Sequence, residues 1–198
     1  MSVWDARYAG AEYHFGTAPN AFLVEQGGRL KAGMTCLAVA DGEGRNGVWL
    51  AEQGLQVLSV DGSGVAIEKA RALAHRRGVT MACEHVDLTQ WDWGVARFDV
   101  VAGIFIKFAN PVARLQQFAN LKRCLKPGGL LLLQGYTPRQ LEYRTGGPSQ
   151  VENLYTEILL RESFDDMEIL HLREHDDILT EGAGNSGISA LIDLVARK

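Results

Sequence analysis

Cysteine, long apolar runs and excess positive charge are all scarce in this chain, and each scarcity excludes something. The three cysteines, Cys36, Cys83 and Cys124, are odd in number, far apart and set in apolar surroundings. They make neither a disulfide framework nor a zinc motif, so no metal is expected and a reducing cytoplasm is the expected compartment. No apolar run is long enough to cross a bilayer, and no charged-then-apolar leader follows Met1, so neither membrane insertion nor secretion is expected. A formal charge of −4 leaves no basic footprint for nucleic acid. The cluster Arg71, Arg76 and Arg77 falls in the last turn of a predicted helix, where the helix dipole favours cations. No stretch reads as an interdomain linker, and 198 residues with 46% apolar content can bury one sizeable core. One domain is therefore expected over residues 1–198: a lid and helix at 1–30, a core at 34–136, and the rest of a sheet at 137–198. Nothing in the pattern specifies an oligomeric state.

What is present centres on Cys36 to Asp61, CLAVADGEGRNGVWLAEQGLQVLSVD. Apolar Cys36 to Ala40 predicts a buried parallel strand, Asp41 to Gly44 a tight loop, and Val48 to Gln53 a helix that Gly54 stops. A second strand, Leu55 to Val60, ends in Asp61. An acid about twenty residues past such a loop is where nucleotide-binding folds grip two ribose hydroxyls.

Gly42, Gly44 and Gly47 also spell GxGxxG, the fingerprint of dinucleotide-binding dehydrogenases. A pyrophosphate would lie on the helix N-terminus, yet this loop carries Asp41 and Glu43. Two carboxylates repel a diphosphate and suit a ligand with an ammonium and a sulfonium, which points to S-adenosylmethionine. The plainer alternative makes Asp41 a helix cap and leaves Glu43 solvated. An NAD(P)-type Rossmann oxidoreductase stays as an alternative, although a second βαβαβ half is not found.

Several stretches together resemble a known family. Trp4-Asp5-Ala6-Arg7-Tyr8 and Tyr13-His14-Phe15-Gly16-Thr17-Ala18-Pro19-Asn20 stand near the start, followed by ADGEGRNGVWLAEQG, VDGSGVAIEKA, LKPGGLLLLQGYTP and YRTGGP. On these pieces, which span nearly the whole chain, it resembles the class I S-adenosylmethionine-dependent methyltransferases, and in particular the bacterial group similar to tellurite-resistance methyltransferases. One departure stands in the first loop, where the usual acid is Ala38 and the usual first glycine is Ala40, with Asp41 following. The resemblance implies a Rossmann-like, doubly wound α/β fold with a mostly parallel seven-stranded sheet of order 3-2-1-4-5-7-6, helices on both faces and a C-terminal antiparallel hairpin. It implies S-adenosyl-L-methionine as cofactor, S-adenosyl-L-homocysteine as product, and Asp41, Gly42, Gly44, Asn46, Asp61, Gly62, Ser63, Asp87, Leu88, Ile104 and Phe105 as cofactor-binding positions. Asp87 matches the acid that accepts the adenine amino group; the alternative is that it begins a turn.

Trp4, Tyr8, Tyr13 and His14 read either as an aromatic lid over the sulfonium or as a packing strap. Ala66 to Ala74 predicts an amphipathic helix ending at Gly78, and Thr80 to Val86 a strand. Phe98 to Phe105 predicts the next strand, and Asn110-Pro111 the start of a helix. The loop between them, Ile106 to Ala109, lacks the Pro-Pro-Tyr motif of amino-methylating enzymes, and its Lys107 can steer an anionic acceptor or be merely solvated. Leu125-Lys126-Pro127-Gly128-Gly129 predicts a turn before the strand Leu130 to Leu133, and Thr137 to Gly147 a surface excursion. Leu154 to Arg161 predicts a helix; Met167 to Arg173 and Ile188 to Val195 predict the final strands. His171 and His175 sit four residues apart among acids, but a polar outer face explains them better than a metal. Tyr13, His14, Tyr136 and Tyr143 are the acceptor-side candidates. The expected acceptor is a small molecule, a thiol or a chalcogen oxyanion, because an acceptor already anionic needs no general base. A non-catalytic S-adenosylmethionine-binding module is the remaining alternative.

Overall fold

A computed structural model describes residues 3–106 and 109–198. Lys107, considered above as a guide for an anionic acceptor, lies outside the described residues. The chain forms one seven-stranded sheet of order β3-β2-β1-β4-β5-β7-β6, the order the family resemblance implies. The described residues group into two compact units, one ending at Asp92 and including Glu181–Gly184, the other comprising Trp93–Thr180 and Asn185–Lys198.

The first unit runs α1 (Val3–Tyr8), α2 (Ala21–Glu25), β1 (Thr35–Val39), α3 (Arg45–Glu52), β2 (Gln56–Asp61), α4 (Gly64–Arg77) and β3 (Ala82–His85). β1 pairs in parallel with β2 from Thr35↔Gln56 to Val39↔Val60, and β2 with β3 from Leu58↔Ala82 to Asp61↔His85. Apolar Cys36 to Val39 are buried, as a strand covered on both faces requires. The buried face of α4 carries Ala66, Ile67, Ala70, Leu73 and Ala74, at the spacing of one helical stripe. Its three alanines let α4 approach closely: a Cβ built on Gly44 would stand 2.7 Å from the Ala70 Cβ. Ser63 caps the helix by accepting from the Ala66 amide, and Gly78 ends it in a left-handed conformation.

The second unit holds β4 (Phe98–Ile104), α5 (Pro111–Cys124), β5 (Leu125–Tyr136), α6 (Gln140–Tyr143), α7 (Glu157–Ser163), and most of β6 (Glu168–Glu181) and β7 (Asn185–Arg197). β5 pairs parallel to β4 and antiparallel to β7. Asn110 caps α5 by accepting from the Ala113 amide, with Pro111 in the first turn as expected.

Four sequence expectations are corrected here. The Leu125–Gly129 segment is the start of β5 rather than a free turn; pairing passes from Phe98↔Leu125 to Val100↔Leu130, so the Pro-Gly-Gly insertion becomes an irregularity within the ladder. The helix expected from Leu154 begins only after Thr156, which caps α7 through the Leu159 amide. Leu154 and Tyr155 instead enter the core, Tyr155 edge-on to Phe118 with centroids 5.6 Å apart. Thr137 to Gly147 is not purely a surface excursion, since Gln140 is buried and its Oε1 accepts from the Ala190 amide. β6 continues past Arg173 to Glu181, because ladder pairing tolerates the exposed polar run that masks it in sequence.

Candidate functional site

Val39 leaves β1 into a loop with three left-handed residues, Ala40 (φ 49°), Gly42 (φ 59°) and Gly44 (φ 87°). Asp41 lies among them, and its carboxylate turns inward. It accepts from the Gly47 amide at 3.1 Å and from Ser59 Oγ at 2.9 Å, which ties the head of α3 to β2. Glycine is required at position 47, since a Cβ there would stand 2.4 Å from Asp41 Oδ2. The residue keeps some surface exposure, but the carboxylate itself is enclosed, and burial pushes its pKa up to about 7 against the pull of the Ser59 and Gly47 bonds. Asp41 thus satisfies the third amide of α3 from outside the helix, whose N-cap position is Gly44. Ser59, a polar residue inside the apolar run of β2, is the partner that sequence reading passed over.

Asp61 ends β2 and is buried. Its Oδ2 accepts from the Gly42 amide at 2.9 Å and its Oδ1 from the Ser63 amide at 2.8 Å. Burial raises its pKa while those two bonds lower it. A carboxylate has about four lone-pair positions, so the two amides leave acceptor capacity for a vicinal diol. Ser63 Oγ donates to Asp5 Oδ1 at 2.6 Å, which brings α1 onto this turn. Above the loop stands Tyr8, whose hydroxyl would lie 2.9 Å from a Cβ at Gly42. Burial, with Asp61 and Glu43 nearby, keeps its phenol far above the ordinary range, so it remains a neutral hydroxyl.

Glu43 is not solvated. It is buried, its Oε2 accepts from the His14 amide at 2.7 Å, and its Oε1 pairs with Lys69 Nζ at 2.5 Å. The expectation that both loop carboxylates face a cationic ligand is therefore corrected: each already has partners within the chain. Asn46 likewise turns to the N-terminal strap, its Oδ1 accepting from the Asn20 amide at 2.9 Å. Arg45 donates to the Ala18 carbonyl and to Glu181 Oε2, and Glu181 Oε1 accepts from Asn20 Nδ2. Arg45, Lys69 and Glu181 were absent from the sequence-based list of site residues, Glu181 because it lies 136 positions from Arg45.

The remaining expected positions fall as follows. Gly42 and Gly44 form the loop, and Gly62 follows Asp61, its carbonyl 3.1 Å from His85 Nε2. Asp87 is exposed beyond β3; its Oδ1 accepts from the Thr89 amide and hydroxyl, which holds the turn around Leu88 and lowers its pKa. Ile104 ends β4 in the second unit, and Phe105 (φ 58°), which follows it, stacks on Tyr136 with centroids 4.8 Å apart. Tyr13 packs on α4 rather than facing inward: its hydroxyl donates to the Lys69 carbonyl and its ring lies under Lys69 and Arg76. His14, half-buried, meets Phe15 and Tyr8 edge-on; burial and then Arg7 lower its pKa. Tyr136 is fully buried and donates to Asn185 Oδ1 at 3.0 Å, and Tyr143 donates to Asp176 Oδ2 at 2.9 Å. His175 lies against Asp193 at 2.7 Å, and no group of metal-ligating residues occurs among the described residues. No helix among them is long and apolar enough to cross a membrane.

Residues 36–129, from the first strand to the glycine pair of β5, match the family model described as a methyltransferase domain. This stretch is similar to a methyltransferase domain. That description names methyl transfer, not the hydride transfer that Gly42, Gly44 and Gly47 left open as an alternative. The chain shares its fold with solved structures. One, from work on conversion of a disulfide bond into a thioacetal group in echinomycin biosynthesis, is 20% identical, covers 99% of this chain and 90% of its own, and has a TM-score of 0.79. TehB from Haemophilus influenzae is 19% identical with a TM-score of 0.74, over 92% of this chain and 63% of its own. A S-adenosylmethionine-dependent methyltransferase from Methanosarcina mazei is 18% identical with a TM-score of 0.72, over 91% of this chain and 98% of its own. No curated protein matches the chain in sequence.

Proposed function

We propose that the protein is an S-adenosylmethionine-dependent methyltransferase that passes the methyl group to a small-molecule nucleophile already anionic, a thiolate or a chalcogen oxyanion. The observation that carries the donor side is Asp61, held by the Gly42 and Ser63 amides with acceptor capacity to spare for the ribose diol. The residues present fit that ligand. The left-handed glycine turn brings backbone close to it, and neutral Tyr8 covers the turn without adding a charge.

When bound, S-adenosylmethionine would supply an activated methyl group to the acceptor's lone pair, with the thioether as leaving group. The protein supplies alignment and exclusion of water. Asp61 would orient the donor, and α1 with residues 13–16 covers the turn through Asp5–Ser63 and His14–Glu43. On the acceptor side, the hydroxyls of Tyr13, Tyr136 and Tyr143 each already donate to another protein group. That commitment favours an acceptor needing no base. His14 remains the acceptor-side candidate among these four.

Isothermal calorimetry with S-adenosylmethionine, S-adenosylhomocysteine and NAD, followed by a radiolabelled methyl-transfer screen over thiols, selenite, tellurite and small amines, tests this reading. Donor binding should fall about a hundredfold in Asp61→Ala, as expected for the loss of two charge-assisted hydrogen bonds. Transfer to amines but not to thiols or oxyanions would overturn the acceptor assignment.

A further inference from the structure

Two carboxylate–cation pairs flank the glycine loop. One, Glu43–Lys69, joins neighbouring elements of the first unit. The other joins Arg45, first residue of α3, to Glu181, at the end of β6. Arg45 Nη2 donates to Glu181 Oε2 at 2.7 Å, and the side chains are only 8% and 10% exposed. Arg45 Nη1 also donates to the Ala18 carbonyl, and Glu181 Oε1 also accepts from Asn20 Nδ2 at 2.9 Å.

The position of this guanidinium is electrostatically unfavourable. The N-terminus of a helix carries partial positive charge and favours anions, yet here it carries an arginine. Its charge reaches the loop, where it is one of the influences favouring the ionised form of Asp41. Solvent screens a nearly buried charge weakly, so whatever neutralises Arg45 governs the potential at the head of α3.

We propose that Glu181 is a positioning and specificity residue of the donor site: by neutralising Arg45 beside the glycine loop, it keeps that guanidinium from biasing the site against the sulfonium donor relative to its uncharged thioether product. This rests on the S-adenosylmethionine reading above. Donor and product share the adenosine and amino-acid ends and differ by one positive charge at sulfur. The ratio of their affinities therefore isolates the electrostatic effect from any general loosening of the site, which would weaken both alike.

Calorimetry with both ligands on wild type, Glu181→Gln, Arg45→Met and the double variant Arg45→Met/Glu181→Gln tests the proposal. Glu181→Gln should lower affinity for S-adenosylmethionine about tenfold relative to S-adenosylhomocysteine, by exposing one like charge in a poorly screened place. Arg45→Met should shift the ratio the other way, and the double variant should return it to the wild-type value. The single-variant shifts should shrink at high salt. Because Arg45→Met predicts a shift of opposite sign, a failure of Glu181→Gln to fold leaves the proposal testable. Equal weakening of both ligands in either single variant, or a double variant whose ratio stays displaced, overturns the role of Glu181 alone. A wild-type protein that binds neither ligand overturns the donor reading and this inference together.

Discussion

Lys69 Nζ lies 2.5 Å from Glu43 Oε1, and the same ammonium donates to the carbonyls of Tyr8, Gly10 and Glu12. One side chain on α4 thereby neutralises a loop carboxylate and fastens the strap that follows α1. Removing it would leave Glu43 charged and nearly enclosed.

Lys69→Met should cost about 3–5 kcal/mol in urea unfolding, the range for breaking a buried pair from one side. Lys69→Met/Glu43→Gln should recover part of that loss, since no unpaired charge remains. Limited proteolysis should show faster cleavage between residues 9 and 13 in both variants, whose strap carbonyls have lost their donor. A single variant within 1 kcal/mol of wild type would contradict the pairing.

Asp41 gives stability a pH dependence of definite sign. Its pKa in the folded protein, about 7, lies above the ordinary 3.8, so between those values the folded state holds a proton that the unfolded state releases. Its contribution is therefore greatest below pH 3.8 and is lost as pH rises towards 7, with a slope up to about 1.4 kcal/mol per pH unit. Asp41→Asn removes the titration while retaining an acceptor for the Gly47 amide. The wild-type-minus-variant difference in unfolding free energy should fall between pH 4.5 and 7 and level off above; a flat difference would show that Asp41 does not hold its proton.

Gly42 and Tyr8 make a paired test of the cover over the loop. Gly42→Ala places a Cβ 2.9 Å from the Tyr8 hydroxyl at φ +59°. The backbone strain should cost about 1–2 kcal/mol, with the steric contact adding to it. Tyr8→Phe in the same chain removes the obstructing oxygen, so the double variant should be destabilised by backbone strain alone. Thermal melts of the four proteins measure this, and simple additivity would mean that α1 does not sit on Gly42.

Tyr136→Phe should be active. The Tyr136 ring is 1% exposed and its hydroxyl is spent on Asn185, so its loss costs stability of about 1 kcal/mol rather than chemistry. Methyl-transfer kcat should stay within about twofold of wild type in the variant. A large fall in kcat with an unchanged melt would return Tyr136 to the acceptor side.

Much of the candidate site was readable from the chain because its parts are near neighbours. Asp61 lies 19 positions from Gly42 and Ser59 lies 18 from Asp41, so one βαβ unit brings them together. What could not be read was side-chain direction. Asp41 and Glu43 both border the glycine turn, and either could face solvent, ligand or core; enclosure by α3 and β2 directed one, and Lys69 the other. The helix assigned to Leu154 failed because tertiary packing of Tyr155 on Phe118 outweighed local propensity.

Periodicity and glycine placement alone determined the strand–loop–helix–strand order around the candidate site, because backbone geometry and short loops leave few alternatives over so short a span. Tertiary structure alone decided which charges meet. Arg45 and Glu181, or Tyr136 and Asn185, become partners only after the sheet has ordered its strands, and no local pattern encodes a contact whose two halves are separated by 136 or 49 residues.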